Sequence, residues 1–168
     1  MSILPLPTPD QRRLVLRPIH PQDAPALAAA FERLSPQSRH RRFLGVKTVL
    51  TARELVQLTD VDHRTHEAVV AVDDQERILG VARYAAEPDR PGTADVAFVV
   101  ADAEQGRGLG TLLAAKLIER ARDNGVRRLE AGTFWDNAPA LALLRGLGFR
   151  ARGSSGGIVQ LVLELAYR

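Results

Sequence analysis

The 168-residue sequence contains no cysteine. Disulfides, thiolate metal ligands and thiol nucleophiles are excluded together, and with them any ping-pong route through an acyl-cysteine. Long apolar runs are also missing. The longest, Val96 to Ala101, is far short of the roughly 20 residues that cross a bilayer, so no membrane partner is expected. The amino terminus, Met1-Ser2-Ile3-Leu4-Pro5-Leu6-Pro7, lacks the basic start, apolar core and small-residue cleavage site of an export signal, and a cytoplasmic location is expected. The 23 Lys and Arg are scattered among 20 Asp and Glu for a net charge of +3, which leaves no basic stripe as a nucleic-acid footprint. His20, His40, His63 and His66 lack the i,i+4 pair with a third carboxylate that a catalytic zinc site wants, so no metal is expected.

What remains is ordinary globular composition, 45% hydrophobic and 26% charged, in a length that suits one domain. Residues 1–11 hold three prolines without a hydrophobic period and read as a loose arm before a domain over 12–168. Arg13 to Arg17 alternates around β-formers and stops at Pro18, as a strand does. A helix capped by Asp23 follows, with Ala24, Leu27, Ala28, Phe31 and Leu34 at helical spacing until Ser35-Pro36 breaks it. The Arg-rich piece Ser38 to Phe43 receives no element. Thr51 with Glu54 three residues on forms a capping box for a second helix ending near Asp60. Three strands form a meander over residues 66–72, 78–85 and 94–100. A helix over 111–124, a strand over 128–134, a short helix over 138–147 capped by Asn137, and strands over 149–152 and 158–165 complete the chain. This order is an α/β class with a mixed sheet, in which Val96–Val100, the next helix and Leu129–Phe134 make one parallel βαβ unit.

Chemistry should sit at that unit's strand-to-helix turn, Gln105-Gly106-Arg107-Gly108-Leu109-Gly110-Thr111. Three glycines let the backbone approach a ligand and aim successive N–H groups at one anion, the helix dipole adds to this, and Arg107 supplies a charged donor. Tight packing of the turn is the plain alternative. A P-loop would need Gly-Lys-Ser/Thr and a dinucleotide fingerprint a third glycine where Thr111 stands, so both fail. Gly153-Ser154-Ser155-Gly156-Gly157 has the letters of a serine nucleophile elbow, but the apolar run from Ile158 is a strand where an elbow needs a helix.

With its Gln-x-x-Gly-x-Gly spacing, the sequence resembles the GNAT superfamily of acyl-CoA-dependent N-acetyltransferases. The likeness spans nearly the whole chain: Leu16-Arg17-Pro18 with Asp23-Ala24, the strand Val96–Val100, the Gln105–Gly110 loop, and Asn137-x-x-Ala140-x-x-Leu143 ending in Leu147-Gly148-Phe149. Arg41-Arg42-Phe43, Glu54-Leu55, Leu58-Thr59, Asp62-His63 and His66–Ala71 further resemble the catalytic domain of Pat-type protein lysine acetyltransferases. The resemblance implies a GNAT fold, a mostly antiparallel central sheet with helices on both faces. It also implies acetyl-CoA as acyl donor, and direct attack on its thioester by an amine, a protein lysine first. A small-molecule amine, or a degenerate acyl-CoA sensor without turnover, is the alternative. Monomer and homodimer are both compatible with it.

Carried over by position, the resemblance implies that Val99, Val100 and Ala101 pair with the pantetheine arm, with the carbonyl-polarising N–H at Val99 or Val100. The segment Gln105, Gly106, Arg107, Gly108, Leu109, Gly110 and Thr111 holds the pyrophosphate, and Asn137 bonds the pantetheine near the thioester; helix capping alone is the other reading of Asn137. Asp95 stands where Pat-type relatives place a glutamate base, one methylene shorter, with a plain surface aspartate as the alternative; Glu67 and His66 are reserves. Many GNAT enzymes carry a tyrosine acid where this chain has Leu144, so water, a helix N-terminus, Tyr84 or another donor must protonate the thiolate. Trp135 is expected to pack in the core, and the arginines at 39, 41 and 42 are assigned no ligand.

Overall fold

The computed structural model describes residues 13–166, so the arm expected over 1–11 lies outside the described residues. Seven strands form one sheet in the order β1-β2-β3-β4-β5-β7-β6. They are β1 Val15–Pro18, β2 His66–Val72, β3 Ile78–Ala86, β4 Thr93–Val100, β5 Arg128–Phe134, β6 Arg150–Ser155 and β7 Ile158–Glu164. Five helices accompany them: α1 Ala24–Arg33, α2 Pro36–Phe43, α3 Ala52–Thr59, α4 Leu109–Asp123 and α5 Ala138–Gly146. Every strand pair is antiparallel except β4–β5.

The apolar runs of β2 and β3 reflect burial on both faces, because side chains alternate sides along a strand. Val69, Ala71, Ala82, Tyr84 and Val96 meet Leu113, Leu117 and Ala121 of α4 and Leu144 of α5 on one face. Ala68, Val70 and Val81 meet Leu27 of α1 on the other, with Leu55 and Leu58 of α3 packed alongside. Helices thus cover both faces of the sheet.

Three local expectations change. Asp23 stands at the α1 N-cap but makes no side-chain cap bond. Its carboxylate turns back to accept from Arg17 at 2.7 and 2.8 Å and from the His20 N–H at 2.8 Å, because a charge-assisted fork outcompetes a neutral N–H donor. The Arg-rich piece is a helix, α2: Ser35 Oγ accepts from Ser38 N–H and Pro36 holds the first helical position, so Ser35-Pro36 starts an element rather than only ending one. The expected loop over 153–157 is shorter, since Gly153-Ser154-Ser155 continue β6 and only Gly156 and Gly157, with φ of +59° and +79°, make the turn. Two successive left-handed residues are what a two-residue hairpin needs. The capping box is present at α3, Thr51 Oγ accepting from Glu54 N–H and Glu54 accepting from Thr51 N–H at 2.8 Å.

Candidate active site

The parallel strands β4 and β5 stay in register only at Thr93–Arg128, Ala94–Leu129 and Asp95–Glu130. Beyond Asp95 they part and open a wedge of about 700 Å³, within the roughly 300–1,000 Å³ of small-molecule sites. Its walls are the upper half of β4, Ala131–Thr133 of β5, the turn into α4, the start of α5, and α2.

Hydrogen bonding decides which β4 groups face the wedge. Ala101 N–H donates to Leu79 O at 2.8 Å, and Gly80 lies opposite Val100. In an antiparallel ladder the bonded pairs alternate, so Leu79–Ala101, Val81–Val99 and Arg83–Ala97 exchange the bonds. Val99 and Ala101 therefore direct their backbone groups to β3, while Phe98 and Val100 present theirs to the wedge. Of the expected trio Val99, Val100 and Ala101, only Val100 turns its backbone groups to the wedge, and Phe98 joins it there. Gln105 Nε2 donates to Val100 O at 3.1 Å and to Ser38 Oγ at 3.3 Å, which leaves Val100 N–H as that residue's open group.

In the turn, Gly106 and Gly108 adopt φ of +75° and +83°, with open space where a side chain would stand. Gly110 does something else: it lies in the first turn of α4, where a Cβ would come 3.4 Å from Leu143, so it serves helix-to-helix packing. The first intrahelical bond runs from Leu112 N–H to Gly108 O, and the N–H groups of Leu109, Gly110 and Thr111 point out of the helix end without intrahelical partners. All of Gln105, Gly106, Gly108, Leu109, Gly110 and Thr111 line the wedge. Such a convergence of amides and helix dipole fits a diphosphate. Arg107 is not part of that wall; it is exposed, 3.6 Å from Glu104 Oε2.

Asn137 is buried and lines the wedge. Its Oδ1 accepts from Ala140 N–H at 3.4 Å and its Nδ2 donates to Thr133 Oγ at 3.3 Å, so it is both cap and wall. Asp95 lines the wedge at the last paired position. Loss of water there, then the charges of Glu87 and Glu130, push its carboxyl above the ordinary range, against the opposing pull of Arg90. Leu144 is a buried wall residue. Tyr84 is removed from the candidate acids: its hydroxyl donates to Arg64 O at 2.9 Å, accepts from Asn124 Nδ2 at 2.7 Å, and lies outside the wedge wall. Glu67 is engaged too, buried and held by Arg120 Nε, the Ala68 N–H at 2.9 Å and His63 Nδ1 at 2.7 Å.

Sequence reasoning passed over the wall made by α2, where Ser38, Arg41, Arg42 and Phe43 line the wedge with Leu44 just beyond. Contacts from two sides of the wedge hold this helix in place. Asp102 accepts from Ser35 N–H, Ser35 Oγ and Ser38 Oγ at 2.7–2.9 Å, and the His40 ring stacks on Phe134 of β5, centroids 4.7 Å apart and 6° from parallel. The available signal was the cap Ser35-Pro36 ahead of an uninterrupted polar run. Arg39 is structural, donating to carbonyls of Phe31, Glu32 and Thr48. Trp135 is 70% exposed, contrary to the expected core packing, because β5 ends at Phe134 and the chain turns outward before α5.

Comparison with known proteins agrees with this geometry. Residues 29–149 match the family model described as Acetyltransferase (GNAT) family. An acetyltransferase of Pseudomonas aeruginosa is 34% identical over 94% of this chain and 86% of its own length. The acetyltransferase Pat of Mycolicibacterium smegmatis is 32% identical over 79% of this chain, which spans only 40% of that protein. Among solved structures, the GNAT domain of S. lividans PAT superposes with a TM-score of 0.89 at 26% identity, covering 98% of this chain and 96% of that one.

Proposed function

The chain belongs to the GNAT family of acetyl-CoA-dependent N-acetyltransferases, and we propose that its acceptor is a protein lysine, attacked directly in a ternary complex. The observation that carries this acceptor class is the nearly end-to-end likeness to the S. lividans PAT domain, joined to the Pat-type segment from Arg41 to Ala71. Leu44, an exposed large apolar residue, lines the wedge, and an exposed apolar side chain at a cleft suits a protein partner.

In this reading the pantetheine arm pairs with the free β4 edge at Phe98 and Val100 as a substitute strand, and the diphosphate meets the amides from Gly106 to Thr111. An N–H of Phe98 or Val100 polarises the thioester carbonyl. Asp95 and Val99 share a face of β4 but stand four residues apart, about 13 Å along the strand. Asp95 therefore takes the ammonium proton through water, and the neutral amine attacks the carbonyl carbon. The C–N bond forms as the C–S bond breaks, the thiolate leaves toward Asn137 and the amino end of α5, and the second proton on the attacking nitrogen passes through water to the thiolate sulfur. Leu144 has no proton to give.

Incubating the protein with acetyl-CoA and a panel of candidate proteins and free amines, followed by intact-mass measurement and lysine mapping, tests the proposal. Acetylated lysines with stoichiometric CoA release are expected. Acetylation confined to free amines would replace the acceptor class, and calorimetric acetyl-CoA binding with no released thiol would favour the sensor alternative.

A further inference from the structure

A second recess, about 50 Å³, lies between the sheet and the helices α1 and α2, with Leu58 of α3 at its wall. It opens on the wedge, because Arg42, Phe43 and Val99 line both. The remaining walls are apolar apart from one more charged side chain, Arg83 of β3. Arg83 Nη2 donates to Leu58 O at 3.0 Å, and the Arg42 guanidinium lies 4.8 Å over the Phe43 ring. Neither has a carboxylate partner among the described residues. Other half-buried arginines do: Arg17 is paired with Asp23, Arg120 with Glu67 and Arg128 with Glu130. Burial lowers the Arg42 guanidinium to about 10, and burial with the charge of Arg42 lowers Arg83 to about 9. Both stay protonated at neutral pH. Two neighbouring cations in an apolar recess, with most of their donors unused, create a demand for an anion.

The sheet register places that demand at the reacting centre. Arg83 lies opposite Ala97, and Val81 and Ala85 lie opposite Val99 and Asp95. Side chains at 95, 97 and 99 share one face, so Arg83 sits on the face shared by Asp95 and the Val99 wall of the wedge, about 5.5 Å from Ala97 between Cα atoms. At roughly 10–15 Å³ for each water-sized position, the recess of about 50 Å³ holds roughly three to five non-hydrogen atoms. A carboxylate has three, in a plane that matches a guanidinium fork.

We infer that Arg42 and Arg83 form a subsite for a carboxylate carried by the acceptor, which holds the acceptor's amine over the β4 edge. The inference rests on the acyl-transfer reading for the place of the amine, and not on the amine's belonging to a protein. The carboxylate has two sources, an Asp or Glu side chain near an acceptor lysine or the α-carboxylate of a free amino acid.

The first test needs no turnover. Arginine Nε–H resonances of the labelled protein are followed while sodium acetate or acetamide is added. Acetate is expected to shift Arg42 and Arg83 saturably and acetamide not at all, and Arg42→Gln to weaken the acetate response of Arg83 about tenfold. A linear response to acetate, equal to that of chloride, overturns the inference. The second test compares lysine peptides flanked by Glu or Gln, and free amino acids with their amides. Carboxylate-bearing acceptors are expected to show about tenfold higher kcat/KM. Arg42→Gln should abolish the preference with the acetyl-CoA KM within twofold, and Arg42→Lys should restore part of it. Equal loss on both members of each pair overturns the inference, and Arg83→Lys reads the same ratio should Arg42→Gln not fold. If only free amino acids react, with this preference intact, the subsite stands and the protein-lysine proposal falls.

Discussion

Asp95 sits where two strands part, and there the demands of chemistry and of stability diverge. Its carboxyl is held above the usual range by loss of water and by Glu87 and Glu130. A folded pKa raised above the unfolded value near 3.9 means that folding favours the protonated form, so this contribution is present below the unfolded value and is lost as pH rises through the folded one. At neutral pH the carboxylate form is then the one that folding disfavours. Asp95→Asn is expected to lower kcat/KM by at least about 100-fold, the lower end of general-base effects, and to remove the acidic limb of the pH profile. Its Tm should be unchanged or higher by calorimetry. A lower Tm with an intact pH profile would mean that Asp95 is only a structural residue. Arg42 and Arg83 make the same point with the opposite charge, since they line the adjoining recess with no carboxylate partner among the described residues.

At the scale of elements, the glycines of the turn into α4 separate by role. Gly106 and Gly108 need left-handed backbone and face open space, whereas Gly110 is helical and has room for a methyl group against Leu143. Gly108→Ala forces a left-handed alanine, worth about 1–2 kcal/mol, and turns the amides away from their common focus; the KM for acetyl-CoA should rise about tenfold with little change in kcat. Gly110→Ala should change that KM less than twofold and leave Tm equal or higher, because alanine favours a helix interior over glycine by about 1 kcal/mol. Steady-state kinetics with acetyl-CoA as the varied substrate, beside calorimetry, distinguishes the two. Elements with local signals were legible in the sequence: the capping box of α3, the alternating and β-branched runs of the meander, the stop of α4 at Asn124-Gly125. The helix α2 was not, because Pro36–Phe43 has no apolar face and is held from outside by Asp102 and Phe134. The backbone groups open on β4 were also hidden. Whether Val99 or Val100 faces the wedge depends on the pairing of β3 with β4, a tertiary fact that no residue type reports.

For the whole molecule, the sheet behaves as two half-sheets, β1–β4 and β5 with β7 and β6, joined directly by three residue pairs and held further by α4, α5 and the α2 contacts. A donor that occupies the wedge as a substitute strand ties both halves together. At 100 times its Kd, acetyl-CoA should add about 2.7 kcal/mol, which for a domain of this size is a rise in Tm of roughly 5–10 °C. Hydrogen exchange should slow most at the Phe98 and Val100 amides, while the Val99 amide, already bonded within the sheet, changes little. A uniform slowing along β4 would argue against strand-like pairing of the donor.

The Asp102 cluster has an engineering consequence. Its carboxylate grips Ser35 at the cap and Ser38 within α2, and Gln105 links Ser38 to Val100, so one knot of side chains fastens the α2 wall of the wedge to β4. Transplanting a foreign helix with its cap into residues 35–43 in order to redirect selectivity would untie that knot unless serines return at 35 and 38. Designers who graft the helix alone should find that affinity for the coenzyme drifts along with the choice of amine.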